Sequence, residues 1–61
     1  MKLADAKKLH NEDEVIDKKT GESISVLSIK TMPMLKASPK VEIEGVGSKT
    51  GYSHWYHEDV K

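Results

Sequence analysis

Lys40-Val41-Glu42-Ile43-Glu44 is the cleanest alternation in the chain, with charged and apolar residues exchanging at every step. A period of two sends Val41 and Ile43 to one face and both glutamates to the other, the pattern of a strand with one side buried and one side wet. Such a strand is stable only beside others, so the fold is read outward from it. Downstream, Gly45-Val46-Gly47-Ser48-Lys49-Thr50-Gly51 is a glycine-rich connection, and Tyr52 to Tyr56 forms the last long strand. His57-Glu58-Asp59 then reads as one turn leading to Val60. Upstream, Met32 to Pro39 is a loop punctuated by Pro33 and Pro39.

Before that loop lies a hairpin. Asp13 to Lys18 is a short strand, and Ser23 to Thr31 is a longer one rich in β-branched residues. Between them, Lys19-Thr20-Gly21-Glu22 predicts a type I turn followed by a glycine bulge, with Gly21 at positive φ. The alternation of the second strand slips, because Ile24 and Val26 share one face whereas Leu27 and Ile29 share the other. A bulge near Ser25–Leu27 accounts for the slip. Val15, Val26, Val41, Ile43 and Val60 are the expected core. The only helical segment is Leu3 to His10, where Leu3, Ala6 and Leu9 make one narrow apolar stripe ending at Asn11. Two turns are not stable alone, so the helix must dock.

Composition narrows the class. Sixty-one residues make one domain, near the lower limit for folding without a staple. The absence of cysteine excludes disulfides and thiolate metal sites and fits a reducing compartment. The N-terminal run Met-Lys-Leu-Ala-Asp-Ala-Lys-Lys resembles neither a signal peptide nor a spanning helix, so a cytoplasmic location without membrane contact is expected. Ten basic residues balance ten acidic ones, and all ten basic residues are lysine. With no net positive charge and no arginine for bidentate contacts, nucleic-acid binding is disfavoured and base readout more so.

Short strands at this spacing point to a small barrel, since the chain is too short for a sandwich. His10-Asn11-Glu12-Asp13-Glu14-Val15 resembles the opening of SH3-like small barrels, although Glu12 stands where that opening usually has glycine. Trp55-Tyr56-His57-Glu58-Asp59-Val60 resembles their ending: a strand, a tight helical turn and a buried aliphatic residue. The whole is similar to short barrel proteins encoded by bacteria and phages. The resemblance implies a five-stranded antiparallel SH3-like barrel over residues 13–61 behind the helix at 3–10.

Catalysis finds little support, for there is no cysteine, no nucleophile elbow and no phosphate loop. A barrel this small also has no room for a pocket of several hundred Å3. His54, His57, Glu58 and Asp59 lie close in sequence, but histidines three apart on a strand face opposite ways, so neither a metal nor another cofactor is expected. A methyl-lysine cage needs aromatics from several strands, and Tyr52, Trp55 and Tyr56 share one. What remains is a non-catalytic protein- or peptide-interaction module. Its candidate binding residues are Met32, Met34 and Leu35, apolar residues in a loop, together with Trp55. The alternatives are a small non-specific nucleic-acid-associated barrel and a structural or self-associating accessory, either monomer or weak homodimer. Strand alternation sets Trp55 opposite Tyr52 and Tyr56, and the SH3-like ending implies that Tyr56 points in and Trp55 out. An outward Trp55 is then either covered by Leu3, Ala6 and Leu9 or open to a partner, and the third alternative is an inward Trp55.

Overall fold

The structure, a computed structural model, describes residues 1–32 and 39–61. Four antiparallel strands follow chain order across one sheet: β1 (Glu14–Ile16), β2 (Ser23–Met32), β3 (Lys40–Gly47) and β4 (Gly51–Tyr56). Helix α1 (Leu3–Ala6) precedes them, and a 3-10 turn (His57–Asp59) follows. The chain is mainly β, as its period-two segments predict.

The sheet is open, which corrects the expectation of a closed five-stranded barrel. After β4 the chain enters the 3-10 turn, and the residues that follow it meet β1 only briefly. That pairing is a single bridge, Asp17 to Val60, flanked by hydrogen bonds from Lys18 N to Asp59 O (3.0 Å) and Lys61 N to Ile16 O (2.8 Å). The helix is also shorter than residues 3–10. Lys8 N bonds Asp5 O and Leu9 N bonds Ala6 O, both at the tighter three-residue spacing that ends a helix. It packs on β3 and the 3-10 turn, with Ala6 buried and Leu3 and Leu9 resting on the core. The glycine-rich connection is shorter too: β3 continues through Gly45 and Gly47, leaving Ser48–Thr50 as the turn.

Val15, Val26, Val41, Ile43 and Val60 are all buried, with Ile24 and Ala6 beside them. The register of β2 on β3 shifts between Val26 and Ser28, a bulge where the broken alternation places it. The extra residue, Leu27, is left exposed, and Ile29 turns back to the core opposite Ile43. One irregular residue thus lets a ten-residue strand keep apolar residues inward along its length. Gly21 has φ +78° as predicted. Glu12 has φ +79°, a left-handed conformation that costs a side-chain-bearing residue about 1–2 kcal/mol.

Two carboxylates tie the turns together. Glu22, just past the first hairpin turn, is 3% exposed. Its oxygens accept from Lys49 N (3.1 Å), Thr50 N (2.9 Å), Thr50 Oγ1 (2.8 Å) and Thr20 Oγ1 (2.9 Å). These bonds, those of Thr50 foremost, hold its pKa at about 2 against the burial that raises it. Asp17, at the start of the same turn, accepts from Lys19 N (2.7 Å) and Thr20 N (3.2 Å). The β1–β2 and β3–β4 turns are therefore joined through one anion.

Two outcomes are expected. Glu12→Gly should raise stability in urea by about 0.5–1 kcal/mol, the relieved strain less the extra entropy of glycine in the unfolded chain; a loss would contradict the left-handed assignment. Glu22 has a folded pKa below its unfolded one, so its contribution is complete above about pH 4.5 and is lost as pH falls through about 2. Glu22→Gln should therefore melt lower at neutral pH, and its melting temperature should fall less than that of the wild type between about pH 5 and 2. Parallel pH profiles for the two proteins would show that Glu22 carries no buried charge.

Candidate interaction surface

β4 is the last strand of the sheet, and among the described residues nothing pairs with its outer edge. Sheet edges are usually blunted by a charge, a proline or a bulge. Gly51-Tyr52-Ser53-His54-Trp55-Tyr56 has neither Lys, Arg, Asp, Glu nor Pro, and its register with β3 runs unbroken from Gly47↔Gly51 to Glu42↔Tyr56. The strand thus presents regular backbone donors and acceptors to any extended segment.

The two faces of β4 are opposite to those implied by the SH3-like ending. Trp55 points inward, rests on the hydrophobic core, and donates from Nε1 to Asp17 Oδ2 at 3.1 Å. Tyr52 and Tyr56 point outward, with 61% and 37% of their surface exposed. Volume explains the difference. The inner-face position that makes room for the indole is Gly47. A Cβ on Gly47 would stand 3.2 Å from Trp55 Cζ2 and 2.2 Å from Glu22 Oε1, so ring and carboxylate both use the space the glycine leaves. Asp17 then satisfies the buried indole N–H. Trp55 is half-buried: it rests on the core and also contributes to the lining of a surface cleft.

Of the other loop candidates, Met32 ends β2 opposite Lys40, whereas Met34 and Leu35 lie outside the described residues. The residues that sequence reading passed over are those opposite Trp55. Tyr52 pairs across the sheet with exposed Val46, His54 with Glu44, and Tyr56 with Glu42. Glu44 is the hub of this face. Tyr52 Oη donates to its Oε2, Ser28 Oγ to its Oε1 (3.1 Å), and His54 Nε2 lies 3.5 Å from Oε2. The Tyr52 bond, then that of Ser28, lowers the carboxyl pKa, and the same Tyr52 bond raises that of the phenol. At the far end, Lys40 Nζ sits 4.7 Å from the Tyr56 ring centroid and 2.7 Å from Glu58 Oε1. The hydrogen bond to Glu58 raises the Lys40 pKa and lowers that of Glu58. The alternation Tyr52-x-His54-x-Tyr56 opposite Val46 and Glu44 was the signal for this face, once Trp55 is placed inside.

A surface cleft of about 330 Å3 opens at this end, lined by Glu42, His54, Trp55, Tyr56 and Asp59. Its lining takes in three successive residues of β4 with Glu42 on β3 and Asp59 in the 3-10 turn. It corrects the expectation that so small a domain has no room for a pocket of several hundred Å3, because the cleft is a surface feature and not a hollow in the core. His57 is engaged elsewhere, since its Nδ1 accepts from Val41 N at 3.2 Å and fastens the 3-10 turn to β3. Among the described residues no group of three or more metal-ligating side chains converges, and no helix is long and apolar enough to cross a membrane. Comparison with protein-family models, curated proteins and solved structures finds no match.

The two faces should respond differently to truncation. Trp55→Phe keeps a ring but removes the indole donor to Asp17 Oδ2 and should cost about 1.5–3 kcal/mol in urea melts. Tyr52→Ala and Tyr56→Ala, on the wet face, should each cost about 1 kcal/mol or less. The reverse order of costs would overturn the orientation of β4.

Proposed function

We propose that this chain is a non-catalytic protein- or peptide-binding module that engages its partner through the open edge of β4 and the outer face of β3 and β4. The observation that carries the reading is the unprotected edge itself, six residues without a charge, proline or bulge beside two exposed tyrosines. Binding by strand addition draws affinity from main-chain hydrogen bonds and specificity from alternate side chains. Tyrosine suits such a face, since it offers large rigid contact area at low entropic cost. The SH3-like resemblance belongs to the same proposal, supported by the pairing order of the C-terminal segment, β1, β2, β3 and β4.

The nucleic-acid alternative fits this surface poorly. Exposed tyrosines are stacking platforms for bases only where cations track the phosphates. Here Glu42 and Glu44 lie between the tyrosines and β2, and Glu58 and Asp59 follow the strand. Lys40, the cation seated on Tyr56, is already engaged by Glu58.

Selection of a random linear-peptide library on the intact chain tests the proposal. Enriched peptides should bind in the micromolar range and lose about tenfold or more in affinity to Tyr52→Ala or Tyr56→Ala variants that remain folded. They should bind Lys2→Ala as they bind the wild type. Failure to enrich, or binding indifferent to both tyrosines, would contradict the assignment.

A further inference from the structure

Resting on that reading, we infer that the occupant of the β4 edge is an extended basic segment of another protein, which places a lysine or arginine side chain in the cleft between Glu42 and Asp59. Three observations converge on this. The edge fixes the conformation of the occupant, for a segment that pairs with a strand is itself a strand and points alternate residues to one face. The cleft is lined by the last three residues of that edge strand, so a side chain projecting from an added strand beside Tyr56 lies next to it. Its lining then sets the chemistry. Glu42 and Asp59 supply two carboxylates, while Tyr56 and Trp55 supply aromatic surface for the aliphatic stem of a long cationic side chain.

The chain already seats a cation in this way nearby. Lys40 lies over the Tyr56 ring with its ammonium on Glu58, an aromatic surface and a carboxylate holding one lysine together. Glu42 faces Lys30 across the sheet in register, yet no ion pair joins them within 4.0 Å, and among the described residues no ion pair engages Asp59. Charge also argues against a second copy as the occupant. Gly51–Tyr56 contains no lysine or arginine, so a copy docking by its own β4 brings no cation from that strand to the cleft. A peptide with an acidic or neutral residue at the same level would leave the two carboxylates unanswered or repelled.

Titration of the isotope-labelled chain with three synthetic hexapeptides tests the inference. One alternates lysine with valine, the second replaces lysine by norleucine, and the third replaces it by glutamate. The lysine peptide should shift the β4 amides, the Trp55 indole N–H and the Asp59 amide, and bind at least about tenfold tighter than the norleucine peptide at low salt. A folded Glu42→Gln/Asp59→Asn variant should erase that preference while still binding the norleucine peptide. If the norleucine or glutamate peptide binds β4 as well as the lysine peptide does, the basic partner is overturned and the strand-edge reading stands. If β4 amides move with protein concentration alone, the occupant is a second copy and the inference fails. If none of the three peptides perturbs β4, both the inference and the edge reading fail.

Discussion

The Glu22 carboxylate is the constraint on which the rest of the structure leans. A buried anion is tolerable only when its lone pairs are filled. Here two backbone amides and two threonine hydroxyls fill them, and three of the four donors come from the other hairpin. The Ser48–Thr50 turn is therefore held to the Lys18–Thr20 turn by the need to satisfy one charge. With a buried apolar core of seven residues among those described, Ala6 and six aliphatic side chains, such a tie fixes geometry that packing alone would leave loose.

That tie determines the orientation of β4. With the second turn pinned, β3 and β4 leave it in register from Gly47↔Gly51 outward, and every odd-numbered β4 residue faces in. Gly47 leaves space that the Trp55 ring borders, and Asp17, at the start of the first turn, accepts from the indole N–H. The two buried acids, one at each end of the first hairpin turn, thus act on the same strand from opposite sides. Tyr52, His54 and Tyr56 are outward as the geometric remainder of that arrangement. The exposed tyrosine face is a consequence of how the core is closed, and a substitution at Glu22 or Asp17 should reach it without touching it.

Much of the scaffold was legible in the sequence because it depends on local rules. The alternation of Val41 and Ile43, the glycine at positive φ in the first turn, the slip in β2 that became the Leu27 bulge, and the short turn before Val60 all follow from period, turn chemistry and β-branching. Closure of the sheet and the facing of Trp55 were not legible, and for a physical reason. Both depend on residues far apart in the chain: closure on how the segment after the 3-10 turn meets β1, and the facing of the indole on the space at Gly47 and the carboxylate of Asp17. Glu22 escaped for a similar reason. Beside a turn glycine a glutamate reads as solvated, and its donors lie 27 and 28 residues away. The outer face went with the facing: with Trp55 placed outside and Tyr56 inside, Tyr52, His54 and Tyr56 were not read as one exposed face.

Everything above hangs on Glu22 being a buried, fully hydrogen-bonded anion that governs β4. Carbon-13 titration of the glutamate carboxyls, with the Trp55 indole N–H followed in the same samples, measures this directly. Glu22 should titrate near a pKa of about 2, and the Trp55 indole resonance should move with it, because ring and carboxylate share the space over Gly47. A Glu22 carboxyl that titrates near 4.5 like an ordinary glutamate, with Trp55 unaffected, would contradict that role.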